Sequence, residues 1–173
     1  MDDRRRFSTF AVDYEDFCRY SLLSMPLLDD TDRRIIGELS AEGRVSFAEL
    51  GRRVNLSAPT VAERVQRLER EGVITGYRAE VDPRALGYSL TAIVRVKPAP
   101  GQLARIPDLA AEIPEVGECH RITGEDCFFL KIHLRSIDEL SELLDRFLVY
   151  GETTTSLVNA SPIPRRDPPV PAP

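Results

Sequence analysis

The sequence is poor in the residues that usually carry chemistry or covalent bracing. It has three cysteines (Cys18, Cys119 and Cys127), an odd number without C-x-x-C spacing. Such a set does not build a disulfide framework and suits a reducing compartment, so the cytoplasm is the expected location. There is no nucleophile–base pairing, no glycine-rich phosphate loop and no cofactor fingerprint. Neither enzymatic activity nor a cofactor is therefore expected. The metal-ligand types are limited to Cys119, His120, Cys127 and His133. Cys119 and His120 are neighbours whose side chains would leave opposite faces of a strand, which prevents them from sharing an ion, and no metal is expected. No apolar run reaches the roughly 20 residues that cross a bilayer. The first residues lack the apolar core of a secretory signal.

What the chain does have is room for cores and an uneven charge distribution. Its 173 residues, 42% of them hydrophobic, suffice for one medium domain or two small ones. The net charge of -5 argues at first against nucleic acid. From Arg44 to Arg70, however, six arginines stand against three glutamates, whereas from Ala79 onward 10 basic residues face 14 acidic ones. Positive charge is thus expected to gather on one segment, where phosphate contact would need it.

That segment reads as two short helices joined by a tight turn. Ser46 and Glu49 have capping-box spacing. Phe47, Leu50 and Val54 follow as one buried stripe. Asn55-Leu56 makes the turn, Asn being suited to non-helical backbone. Ser57 caps the next helix and Pro59 lies in its first turn. Val61, Val65 and Leu68 face inward, which leaves Thr60, Glu63, Arg64 and Arg67 to face outward. An earlier helix from about Thr31 to Ala41, capped by Asp29 or Asp30, adds Ile35, Ile36 and Leu39 to the same core. A solvated helical hairpin with outward arginines would share part of this pattern.

Composition divides the rest. Residues 1–26 read as a disordered arm or as sequence upstream of the true start, for which Met25 would serve. Residues 27–78 form the helical unit, closed by Gly72-Val73-Ile74-Thr75-Gly76-Tyr77. Residues 79–87 are a linker marked by Pro83 and Gly87. Residues 88–160 form a second domain. Residues 161–173 hold six prolines and should be extended.

The second domain reads strand, helix, strand, strand, helix, strand. Tyr88 to Lys97 alternates, with Leu90, Ala92, Val94 and Val96 on one face. Leu103, Ile106, Leu109, Ala110 and Ile113 have helical spacing, with Pro107 starting or kinking that helix. Val116 to Thr123 and Cys127 to Leu134 flank a hairpin turn at Gly124-Glu125-Asp126. Ser136 and Glu139 repeat the capping-box spacing ahead of a helix that buries Ile137, Leu140, Leu143, Leu144, Phe147 and Leu148. Thr153 to Asn159 supplies the last strand. The order βαββαβ is that of a ferredoxin-like sandwich, so the fold class is α+β: a winged-type helix-turn-helix followed by that sandwich. An open sheet face cannot stay wet if it is apolar, which points to dimerisation through it.

Four strings now stand together: Leu28-Asp29-x-x-Asp32-Arg33-Arg34-Ile35-Ile36; Val61-x-x-Arg64-Val65-x-x-Leu68-Glu69-x-x-Gly72-Val73-Ile74; Thr123-Gly124-x-Asp126; and Thr153-Thr154-Thr155-Ser156. In this order of elements the chain resembles the leucine-responsive/asparagine regulator (Lrp/AsnC) family from about Leu27 to Pro162. The resemblance implies a prokaryotic transcription regulator whose helix-turn-helix binds double-stranded DNA. It also implies a C-terminal domain that forms dimers, often up to octamers, and binds an amino acid or related small effector.

Site residues follow from both readings. Ser57, Pro59, Thr60 and Glu63 are candidates to approach bases, and Arg64 and Arg67 to contact guanine or phosphate. Arg44, Arg52 and Arg53 are phosphate contacts or surface charge. Gly124 and Asp126 match the family's effector loop, where Asp126 would pair with a ligand ammonium and loop N–H groups, including that of Glu125, would take its carboxylate. Thr123, Thr154 and Ser156 would add hydroxyls. An ordinary turn at Gly124-Glu125-Asp126 is the competing reading. Cys127 departs from the commoner family pattern, as do the N-terminal arm and the Pro-rich tail.

Overall fold

A computed structural model describes residues 27–163 and 165–170. The arm expected over residues 1–26 lies outside them. The described residues divide into a helical unit up to Glu80 and a sheet unit that begins at Val81.

The helical unit is α1 (Asp30–Ala41), α2 (Phe47–Val54) and α3 (Ala58–Arg70). Asp29 caps α1 in a complete capping box: its carboxylate accepts from the Asp32 N–H at 2.7 Å, and the Asp32 carboxylate accepts from the Asp29 N–H at 3.2 Å. The box expected at Ser46 is only half formed. Ser46 Oγ accepts from the Glu49 N–H at 3.2 Å, but the Glu49 carboxylate turns to Arg52 and Arg53 instead. Asn55 ends α2 in the left-handed region at φ 61°, a conformation Asn tolerates better than most residues. Ser57 caps α3, and Pro59 sits in its first turn where no intrahelical N–H is needed.

Ile35, Leu50, Val54, Val61, Val65 and Leu68 form the core of this unit, with Ile36, Leu39, Val73 and Ile74 packed around it. Phe47 is an exception to the expected stripe and is exposed. It is the first residue of α2, and helical side chains lean toward the N-terminus, so its ring projects past the end of the core. The expected wing has no strand among the described residues, none being assigned between α3 and Leu90. Val73 and Ile74 instead turn back onto the helical core, their N–H groups donating to the Leu68 carbonyl at 2.9 and 3.1 Å.

The sheet unit follows a 3-10 turn at Pro83–Leu86. It comprises β1 (Leu90–Pro98), α4 (Arg105–Glu112), β2 (Val116–Arg121), β3 (Phe128–Leu134), α5 (Ile137–Leu148) and β4 (Gly151–Leu157). The strand order is β2-β3-β1-β4 with antiparallel pairing throughout, the ferredoxin-like arrangement. Ala92, Val94 and Val96 of β1 and Phe128, Leu130, Ile132 and Leu134 of β3 face both helices in one core, closed by Ile106, Ala110, Leu140, Leu143 and Phe147.

Two apolar residues of α5 depart from the expected burial: Ile137 and Leu148 are exposed. Ile137 opens the helix and leans past its end, as Phe47 does. Leu148 closes the helix and lies about 80° round from Leu140, at the flank of the buried stripe. Ser136 Oγ caps α5 through the Glu139 N–H at 3.3 Å. The reciprocal bond goes to the wrong residue for a capping box, since the Glu139 carboxylate accepts from the Arg135 N–H at 2.8 Å.

The loop between β2 and β3 is longer than a three-residue turn. The Ile122 N–H donates to the Cys127 carbonyl at 2.9 Å, and the Cys127 N–H leaves the hairpin for the Val96 carbonyl in β1 at 3.1 Å. Gly124 takes φ 121°, open to glycine and strained for any side chain. Cys127 is thereby withdrawn from β3 and tied to the centre of the sheet.

Candidate functional site

Helix α3 defines an outward face. At about 100° per residue, the line opposite Val61, Val65 and Leu68 runs through Pro59, Glu63, Gln66 and Arg70. All four are exposed. Thr60 lies beside this line and is exposed, its hydroxyl 2.8 Å from Ser57 Oγ, so the two hydroxyls at the start of the helix engage each other. Glu63 projects freely, as the sequence reading expected.

Arg64 and Arg67 are placed differently from that expectation. Arg64 lies about 110° round from the outward line, at the edge of the buried stripe. Its Nη1 reaches Asp29 Oδ2 at 2.6 Å and Asp32 Oδ1 at 2.9 Å. Arg67 Nη2 donates to Asp32 Oδ2 at 2.6 Å, and its Nη1 lies 3.5 Å from Glu71. Asp32 is wholly buried, so the two guanidiniums compensate a carboxylate removed from water. Hydrogen bonds from the Arg64 guanidinium and the Asp32 N–H hold the Asp29 carboxyl below its usual range. The guanidinium's own bonds, to the Asp29 carboxylate first and the Asp32 carboxylate second, raise the pKa of Arg64. The equal 3- and 4-residue spacings that place an arginine beside a valine stripe also allow it to fold under that stripe, and only the position of α1 decides between the two.

The other arginines separate into committed and free ones. Arg53 is held by Glu38 at 3.0 Å, Glu49 at 3.0 Å and Glu42 at 2.8 Å, bonds that raise its pKa. Its carbonyl accepts from Arg34 Nη2 at 2.7 Å. It is a tie between α1 and α2. Arg52 pairs with Glu49 and remains largely exposed. Arg44 and Arg70 are exposed and carry no ion pair among the described residues. The basic surplus read between Arg44 and Arg70 is therefore largely cancelled in space. Over residues 27–80, nine arginines meet ten carboxylates. Gln66 and Arg70 were missed by the sequence reading, although the spacing of the three buried residues places both on the outward line.

In the sheet unit, the face away from the helices carries Arg95 of β1, Phe129, Lys131 and His133 of β3, Glu118 and His120 of β2, and Thr154 and Ser156 of β4. Among these, Glu118 bridges His120 at 3.3 Å and Lys131 at 3.2 Å. His133 Nδ1 lies 3.2 Å from Thr91 Oγ1, and burial followed by the charge of Lys131 holds His133 below its usual pKa. The face is mixed rather than apolar, with Ile93 and Phe129 half-buried near its centre.

Of the effector candidates, Asp126 and Thr154 are brought together by a residue the sequence reading passed over. Asp126 Oδ2 lies 3.2 Å from Arg95 Nη1, and Arg95 stands opposite Thr154 in the β1–β4 register. Ser156 is two pairs further along, opposite Ile93. Thr123, Gly124 and Glu125 are exposed in the loop. The alternation of β1 that buries Val94 and Val96 already set Arg95 on the opposite face.

A compact helix-turn-helix followed in the same chain by a ferredoxin-like unit defines a class of DNA-binding regulator, and comparisons with known proteins specify it. Residues 28–69 match the model of the AsnC-type helix-turn-helix domain, and residues 91–168 that of the Lrp/AsnC ligand binding domain. The HTH-type transcriptional regulator LrpA of Mycobacterium tuberculosis is 40% identical over 129 residues, 74% of this chain and 86% of that one. The HTH-type transcriptional regulator LrpC of Bacillus subtilis is 35% identical over 131 residues, 76% of this chain and 91% of that one. Among solved structures, a feast or famine regulatory protein of M. tuberculosis complexed with L-methionine superposes with a TM-score of 0.78 at 34% identity, covering 84% of this chain and 100% of that one. The chain belongs to the Lrp/AsnC family of helix-turn-helix transcriptional regulators.

Proposed function

We propose that the protein regulates transcription in the cytoplasm as a homodimer or a larger assembly such as an octamer, and that an amino acid sets its DNA affinity or assembly. Residues 27–78 bind double-stranded DNA, residues 79–87 connect, and residues 88–160 assemble and sense. Helix α3 enters the major groove, presenting Ser57, Pro59, Thr60 and Glu63 to base edges. Arg44 and Arg52 flank it as phosphate contacts, while Arg53, Arg64 and Arg67 hold its scaffold. The observation that carries this reading is the capped, exposed and largely unpartnered outward line of α3.

The effector site is the loop Thr123-Gly124-Glu125-Asp126 with Thr154 and Ser156. An ammonium group would replace Arg95 on Asp126, and the released Arg95 would take the ligand carboxylate. The L-methionine complex of the mycobacterial regulator supports an amino acid as the class of ligand. A second reading, a DNA-binding oligomer without an amino-acid effector, is favoured by the Arg95–Asp126 pair, which already satisfies the carboxylate.

A thermal-shift screen of the twenty amino acids, with binding to the upstream DNA of its own gene followed for each hit, separates the two. The effector reading expects one or more stabilising amino acids that also change DNA affinity. DNA binding with no hit supports the second reading. Absence of DNA binding removes both.

A further inference from the structure

We infer that Glu63 and Gln66 are the residues that set sequence preference, Glu63 selecting a C·G pair and Gln66 an A·T pair in each half-site. The inference rests on the proposed insertion of α3 into the major groove and goes beyond it by naming the readers and their bases.

Elimination along α3 narrows the readers. Arg64 and Arg67 are held by ion pairs to Asp29 and Asp32, and Arg64 also lies off the outward line. Ser57 and Thr60 share a hydrogen bond with each other, and Ser57 also caps the helix. Pro59 has no donor. Glu69 accepts from the Tyr77 hydroxyl at 3.0 Å. Glu63, Gln66 and Arg70 then remain on the outward line, with side chains exposed and free of hydrogen bonds among the described residues.

The chemistry of the three differs. An ionised Glu side chain only accepts, and in the major groove the matching donor is the cytosine N4 amino group. A Gln amide both accepts and donates, which matches adenine N6 and N7 in a bidentate pair. Arg70 is the last residue of the helix, a full turn beyond Gln66 and the furthest of the three from the N-terminal end that approaches base edges, and suits phosphate. Glu63 has a second effect. A carboxylate on the DNA-facing line repels phosphate and lowers affinity for every site that offers it no amino donor. It therefore contributes discrimination rather than general affinity. Residues three apart on a helix are separated by about 4.5 Å along the axis, against about 3.4 Å per base step, so the two selected pairs are one or two steps apart.

Selection from a double-stranded DNA pool with a randomised core, using the full chain and the variants E63Q, E63A and Q66A, tests this. The wild type is expected to enrich half-sites in which a C·G and an A·T pair lie one or two steps apart. E63Q should exchange the C·G preference for A·T at that position alone, a gained preference that misfolding cannot imitate. E63A should lose the preference at that position by about 5-fold or more while binding random DNA at least as well as the wild type. Q66A should lose only the A·T position. A wild-type motif that all three variants retain overturns the assignment and leaves the DNA-binding reading intact. Failure of the wild type to enrich any motif refutes both.

Discussion

Arg67, near the end of the proposed recognition helix, reaches back to α1 and donates to the wholly buried carboxylate of Asp32 at 2.6 Å. With Arg64 on the other carboxylate oxygen at 2.9 Å, Asp32 ties α3 to the start of α1. Asp32 also accepts from the Asp29 N–H, so one side chain completes a helix cap and orients the DNA-facing helix. Two arginines that look like DNA contacts in the sequence become part of the frame that aims their neighbours.

Replacing Asp32 by Asn should therefore destabilise the helical unit by about 2–3 kcal/mol, because both guanidiniums lose the charge that compensates them. Urea denaturation followed by far-UV circular dichroism measures this. An unchanged midpoint would mean that the tie contributes nothing.

Arg64→Ala distinguishes a frame residue from a phosphate contact. A phosphate contact removed by mutation reduces the slope of log affinity against log salt by about 1. Arg64 is already matched by Asp29 and Asp32, so the slope should stay at the wild-type value while stability falls. Mobility-shift titrations at several salt concentrations give the slope, and a drop of one would restore Arg64 to the DNA contacts.

Acid should loosen the helical unit through Asp29. The Arg64 hydrogen bond, and then the Asp32 N–H, hold this carboxyl below its ordinary value of 3.8. The folded state binds this proton less readily than the unfolded state. Its contribution is thus complete above about pH 4 and is lost as pH falls through the lowered folded value. Thermal midpoints recorded from pH 5 to pH 2 should drop more steeply in the wild type than in Asp29→Asn, and parallel curves would remove Asp29 as a cause.

The turn between α2 and α3 depends on one missing methyl group. A Cβ on Gly51 would sit 2.6 Å from the Leu56 carbonyl oxygen, a backbone atom with little freedom to yield. The Leu56 N–H meanwhile donates to the Gly51 carbonyl at 2.9 Å, so the chain must pass this close. Gly51→Ala should cost about 1–3 kcal/mol and weaken DNA binding, leaving amide exchange in β1 to β4 unchanged. Wild-type stability in this variant would show that the turn can relax.

How much of this was legible in the sequence depended on how local the cause was. Asn55, Ser57 and Pro59 act on their own turn of backbone, and their roles were readable from type and spacing. The alternation of β1 gave its buried face for the same reason. Phe47, Ile137 and Leu148 were misread because periodicity assigns a face but not whether a neighbouring element extends far enough to cover the helix end. The ion pairs of Arg64, Arg67 and Arg53 were not foreseen because these partners lie 11 to 35 residues away, on α1 or at its caps, and a charge count along the chain does not register them. Arg95 stayed unnoticed since its partner, Asp126, belongs to a loop that crosses toward it only after β3 pairs with β1.

That loop supplies the last prediction. The Arg95–Asp126 pair is partly exposed, and exposed ion pairs contribute little net stability, so a zwitterion can displace it at small cost. Asp126→Ala should leave DNA binding intact and abolish the stabilisation by whichever amino acid the wild type responds to, because no carboxylate remains for the ammonium. Arg95→Ala should weaken the response while retaining a preference for amines over carboxylates lacking them, since Asp126 would still hold the ammonium. Isothermal titration of the wild type and both variants reads the two effects apart. An unchanged dose response in Asp126→Ala would place the ligand elsewhere, and the pair would then be a brace that fixes the loop against β1.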